Sequence, residues 1–122
     1  MKLFSKTLLL ALSTGLFQTI LPANATPWVY STGGRLYSST SECVSEARRF
    51  ARASGFTVNE VLYDDNAENG ASVFAINSYE KARLIFRCET AYGVYSYAVA
   101  SQSNDTAYDL YVKSIDNDPG EI

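Results

Sequence analysis

Histidine is absent from the 122-residue chain. That removes Ser-His-Asp and Cys-His catalysis and most zinc sites, which take their base or their ligands from imidazole. Cysteine is scarce: Cys43 and Cys88 are the only two, and no Cys-x-x-Cys spacing suggests redox or metal chemistry. Basic residues number 10 against 13 acidic ones, so the phosphate neutralisation that drives nucleic-acid binding is not supplied. An anionic membrane surface is an equally poor partner. Gly33-Gly34 stands without the Gly-x-x-x-x-Gly-Lys frame of a phosphate loop. Nothing in the pattern calls for a cofactor or a metal.

What is present starts at the N-terminus. Lys2 and Lys6 precede an apolar run from Thr7 to Leu21, and Pro22-Ala23-Asn24-Ala25 ends in small residues. This is the pattern of a cleavable export signal. Ser13, Thr14, Gly15, Gln18 and Thr19 interrupt the run, which leaves it short of the roughly 20 apolar residues of a membrane anchor. Cleavage is expected after Ala25, leaving one secreted or periplasmic domain over 26–122 with no membrane insertion of the mature chain. An exported pair of cysteines is expected to form a disulfide. Linking Cys43 to Cys88 closes a loop of about 45 residues, for which chain entropy gives ~4 kcal/mol.

The mature part alternates between helix and strand signals. Residues 26–38, with Pro27, Gly33 and Gly34 among Trp28, Val29, Tyr30 and Tyr37, read as an irregular or short edge segment. Ser39 followed three residues later by Glu42 is a capping box, and Gly55 supplies the C-terminal cap. The helix between them carries Cys43, Ala47, Phe50 and Ala51 on one stripe. Phe56–Tyr63, Ala71–Asn77, Lys81–Glu89 and Val94–Ser101 read as strands joined by turns. The third is the most legible, alternating Ala82, Leu84, Phe86 and Cys88 with Arg83, Ile85, Arg87 and Glu89. A two-residue loop at Tyr92-Gly93 pairs Cys88 with Tyr97 and turns the bulky residues of the last strand inward. A loop one residue longer turns Ser96 and Ala98 inward instead. Asn104-Asp105 caps a second helix through Ile115, whose stripe is Tyr108, Tyr111, Val112 and Ile115. The polar tail 116–122 is expected to be flexible.

The fold class expected is α+β: an antiparallel sheet of three or four strands with two helices on one face, in the order α-β-β-β-β-α. Cys43 and Cys88 each fall on an apolar face, so their bridge ties helix to sheet. The run from Cys43 through Gly55-Phe56, the strand ending Leu84-Ile85-Phe86-Arg87-Cys88, the turn at Gly93 and the following strand and helix resembles a group of small exported bacterial α+β domains. That resemblance implies a fold and a bridge and carries over no catalytic residue.

The loop Asp64-Asp65-Asn66-Ala67-Glu68-Asn69-Gly70 departs from the calcium-loop pattern, with Ala67 where an oxygen ligand is needed and Ile76 in place of the closing glutamate. Asn104-Asp105-Thr106 fits a glycosylation acceptor but serves as the helix cap. The expected function is non-catalytic binding of a protein or envelope component. The expected surface is the sheet face away from the helices, with Arg83, Ile85 and Arg87 joined by Tyr79 or Tyr95. The second reading is a small hydrolase of cell-wall or extracellular polymer that uses carboxylates such as Asp64, Asp65 and Glu68.

Overall fold

In the computed structural model, which describes residues 26–122, the Ser39 hydroxyl accepts a hydrogen bond from the Glu42 amide at 3.2 Å. That bond starts α1 (Thr40–Ala53). The segment 1–25, where the sequence places the export signal, lies outside the described residues. At the far end of α1, Gly55 adopts φ +91°. The Phe56 amide reaches the Ala51 carbonyl at 2.8 Å, and the Gly55 amide reaches that of Arg52 at 3.1 Å. This is a Schellman cap, which needs a residue free to enter the left-handed region. The buried stripe is Cys43, Ala47, Phe50 and Ala51 with Thr40 and Val44 beside it.

The strands are β1 (Trp28–Arg35), β2 (Thr57–Tyr63), β3 (Ala71–Asn77), β4 (Ala82–Glu89) and β5 (Val94–Ser101). They form one sheet in the order β1-β5-β4-β3-β2, and every neighbouring pair is antiparallel. A second helix, α2 (Asn104–Asp116), follows β5. The sheet thus has five strands rather than three or four, and the chain order is β-α-β-β-β-β-α. The difference lies in residues 26–38: of the two readings, irregular chain or a short edge segment, the edge holds, as an eight-residue strand. A Cβ on Gly33 would stand 2.2 Å from the Tyr95 carbonyl. The glycine therefore permits close approach of two strands rather than breaking one.

Glu89 pairs with Val94, so the β4–β5 loop has four residues, Thr90–Gly93, instead of two. Cys88 consequently pairs with Tyr95, not Tyr97, and Phe86 with Tyr97, not Val99. Two extra residues shift the register without changing parity, and Tyr95, Tyr97 and Val99 all face inward. Their rings fill the core. Phe86 stacks on Tyr95 and Tyr97 with centroids 5.4 and 5.8 Å apart, and Phe50 descends from α1 onto Phe86 and Tyr97. Cys43 and Cys88 form the disulfide beside this cluster, with Cα atoms 6.2 Å apart and no solvent exposure.

The second helix presents a different face from the one its bulky residues suggest. Ala107, Leu110 and Ser114 are buried, while Tyr108, Val112 and Ile115 stay half exposed. Small residues at Ala107 and Ser114 let the helix lie close to the sheet, and that outweighs the bulk of the neighbouring stripe. Its N-cap is Ser103, one residue before Asn104.

The tail is docked rather than flexible. The Ile122 amide donates to the Arg35 carbonyl at 3.1 Å, and the Tyr37 amide donates to Ile122 at 2.6 Å. Asp118 accepts from the hydroxyls of Tyr95 and Tyr97, the latter at 2.7 Å. Two phenols on the inward face need an acceptor, and a polar tail residue supplies it. Burial first, then the Asp118 hydrogen bond and charge, push both phenols above their ordinary 10.0. A phenol that holds its proton longer when folded supports the fold fully below pH 10 and loses that support as pH rises through its folded value. In alkaline titration followed by tyrosinate absorbance, Tyr95 and Tyr97 should ionise only as the protein unfolds. Asp118→Ala, which strands both hydroxyls, should cost about 2 kcal/mol at neutral pH and bring alkaline unfolding to lower pH. Unchanged stability would mean that the tail is not held as described.

Candidate functional site

Both helices lie on one face of the sheet, α1 over β2, β3 and β4, and α2 over β5 and β1. The opposite face has no cover among the described residues. Strand alternation dictates what it shows. Along β4 the outward side chains are Arg83, Ile85, Arg87 and Glu89, as the alternation predicts. The register then sets their neighbours: Ile85 lies between Phe74 and Ala98, Arg83 between Ile76 and Ala100, and Arg87 between Ser72 and Ser96. Beyond β5, Ser31 stands beside Ala98 and Val29 beside Ala100.

Residue size gives this face its relief. Ser96, Ala98, Ala100, Ser31 and Gly33 form a lane of small residues, and Arg83, Ile85 and Arg87 form a ridge along one side of it. The resulting trough holds a depression of about 360 Å³ over Ser31, Ile85, Arg87, Ser96 and Ala98. Ile85 is 44% exposed at its centre.

The two arginines differ. Arg87 grips the Asp64 carboxylate through two nitrogens at 2.7 and 2.8 Å, and Glu89 through Nε at 2.7 Å. It also donates to the Ser72 hydroxyl at 3.3 Å. The guanidinium hydrogen bond holds the Asp64 carboxyl below the usual range, and Asp64, then Glu89, hold Arg87 protonated beyond its own. Arg87 is therefore a brace between the β2–β3 loop and β4, with its charge already matched. Arg83 has no hydrogen-bond or ion-pair partner among the described residues. It is an unmatched cation in the middle of this face; Arg35, on the same face at the end of β1, donates to the Tyr37 hydroxyl at 3.3 Å and likewise meets no carboxylate among the described residues.

The remaining candidates separate. Tyr79 is 92% exposed, but at the tip of the β3–β4 turn rather than on the face. Tyr95 points the other way, into the core, and is no part of this surface. Its parity follows from the four-residue loop. Phe74, Ile76 and the small-residue lane escaped the sequence reading. The signal that identifies them is the register across three strands, which one strand's alternation does not contain.

Two of the three loop carboxylates can be placed against neighbours, and they face different ones. Asp64 is bound to Arg87, whereas Glu68 borders a cleft of about 440 Å³ at the start of α1, lined also by Thr40, Tyr63 and Thr90. Thr40, buried there, donates to the Glu68 carbonyl at 3.0 Å and shares a hydrogen bond with Thr90. These hydroxyls thus pin the loop to the helix. Among the described residues no cluster of three or more His, Cys, Asp or Glu side chains is placed to hold a metal ion. No helix among them is long and apolar enough to cross a membrane.

No protein-family model matches the chain, and no curated protein or solved structure matches it either.

Proposed function

We propose that the chain is a non-catalytic domain, exported by its segment 1–25, that seats a protein or envelope partner on the uncovered face of its sheet. The observation that carries this reading is the trough of small residues beside Ile85, with the unpaired Arg83 at its rim. A cation without a partner next to half-exposed apolar side chains suits a partner element that is apolar along one side and carries a carboxylate. Arg and large hydrophobes concentrate interface energy where they border a patch from which water can be excluded. The buried bridge and the docked tail make the face a rigid platform, which keeps the ordering cost of association low.

The test is capture from an envelope extract with the chain expressed complete with its N-terminal segment. Ile85→Asp and Arg83→Glu should each release the captured partner, with an affinity loss on the order of tenfold or more for a hot-spot residue. Arg48→Glu, on the exposed side of α1, should leave capture unchanged. Capture that survives both face substitutions would remove this surface from consideration.

A further inference from the structure

The two edges of the sheet are not alike. On β2 a bulge between Val58 and Glu60 interrupts pairing, and Glu60 places a charge there. Bulges and charges are the usual protections of a sheet edge. At the other edge, β1 pairs without a bulge, and its stretch Trp28–Gly34 contains no charge and no proline; its one charge, Arg35, stands at the end where the tail bonds. Its free backbone groups can be assigned. The Leu36 amide turns toward β5, bonding Gly93 at 2.9 Å. The Arg35 and Ser31 carbonyls turn away, accepting from the Ile122 amide at 3.1 Å and from the Tyr111 hydroxyl at 3.4 Å. Val29, Ser31 and Gly33 therefore present their amides at the open edge.

We propose that two copies of this chain pair through β1, antiparallel to each other, about a two-fold axis at Ser31. Three independent features place the axis there. The first is the pair of limits on the open run. Pro27, which has no amide to donate, bounds one end, and the tail bonded at Arg35 bounds the other. Both lie four residues from Ser31. The second is side-chain size. An axis at Ser31 sets Trp28 opposite Gly34, Val29 opposite Gly33 and Tyr30 opposite Thr32, so each large residue of one copy meets a small one of the other. The third is α2. Its exposed stripe of Tyr108, Val112 and Ile115 carries no charge, and the Tyr111 hydroxyl at Ser31 sets that stripe on the β1 side with its middle beside the axis.

An antiparallel strand pair is itself two-fold symmetric, as a closed dimer requires. Pairing joins the two sheets into one and lays the α2 stripes against each other. Trp28, Val29 and Tyr108 are each half exposed. With the α2 stripe and the strand edge, they form one uncharged surface on the side where the second copy would sit, of the kind a stable interface of ~800 Å² per partner buries. The seam borders the trough and shares Ser31 with it, so the dimer would extend the open face across both copies.

Sedimentation of the full chain should give a dimer mass that falls toward the monomer on dilution. Val112→Lys combined with Ile115→Lys should shift that equilibrium to monomer. Ser31→Cys supplies the positional test, because residues on the axis face each other about 5.5 Å apart in a hydrogen-bonded pair, within disulfide reach. Under mild oxidation it should form a covalent dimer about a hundredfold faster than Tyr79→Cys, since the effective concentration inside a dimer is millimolar. A wild-type monomer at every concentration, or Ser31→Cys cross-linking no faster than Tyr79→Cys, would overturn the proposal.

Discussion

Replacing both cysteines, Cys43→Ala with Cys88→Ala, should lower the unfolding free energy by about 4 kcal/mol. The bridge spans a sequence separation of 45, so its removal returns that loop's entropy to the unfolded chain. A domain of this size holds only ~5–15 kcal/mol in total, and the melting temperature should fall by roughly 20 °C. Both sulfurs are without solvent exposure. A reductant therefore reaches them only through opening of the domain, so at a given thiol concentration the reduction rate should rise with the population of the open form as denaturant is added. Denaturant and thermal melts of the oxidised and substituted proteins measure the first two quantities, and the time course of thiol release at several denaturant concentrations measures the third. A loss below about 1 kcal/mol would mean that the unfolded chain is already restrained without the bridge.

Phe86→Ala should cost about 3–5 kcal/mol, the range for an aromatic removed from a packed core. Phe86 has no exposure and touches three other rings: Phe50 at 5.4 Å, Tyr95 at 5.4 Å and Tyr97 at 5.8 Å between centroids. The void would lie against the two tyrosines that hold Asp118, so loss of the ring should also loosen the tail. Hydrogen exchange at Ile122, whose amide bonds to Arg35, reads that second effect. Phe86 stands two residues from Cys88 on the inward face of β4, so this loss and that of the bridge should not be additive. Together they should leave no folded protein. A cost near that of an exposed substitution would place the core elsewhere.

The elements that were legible in the sequence are those whose signals are local. The Ser39 cap, the Gly55 stop and the alternation along β4 each depend on residues within a few positions of one another. The bridge was legible because Cys43 and Cys88 fall on two such local faces. What was missed depends on partners distant in sequence. β1 is a strand only because β5 lies beside it; Gly33 is explained by the Tyr95 carbonyl it admits, and Gly34 by the Tyr95 ring and the Gly120 carbonyl. The tail is ordered by hydroxyls more than twenty residues earlier. The inward face of α2 depends on how closely the helix approaches the sheet, which favours Ala107 and Ser114 over the larger Tyr108 and Val112. On the candidate surface, Arg83 and Ile85 follow from the alternation of β4, but the engagement of Arg87 by Asp64 required the loop to fold back. The trough became visible only with the register of its neighbours.

Binding to the uncovered sheet face is most directly tested by amide chemical-shift mapping of the labelled protein with the captured partner. Shifts should concentrate at Arg83, Ile85, Phe74, Ala98 and Ala100, and the exposed side of α1 around Arg48 should stay unchanged. Shifts confined to the helices, or to the cleft beside Thr40 and Glu68, would contradict the assignment of the binding surface to this face.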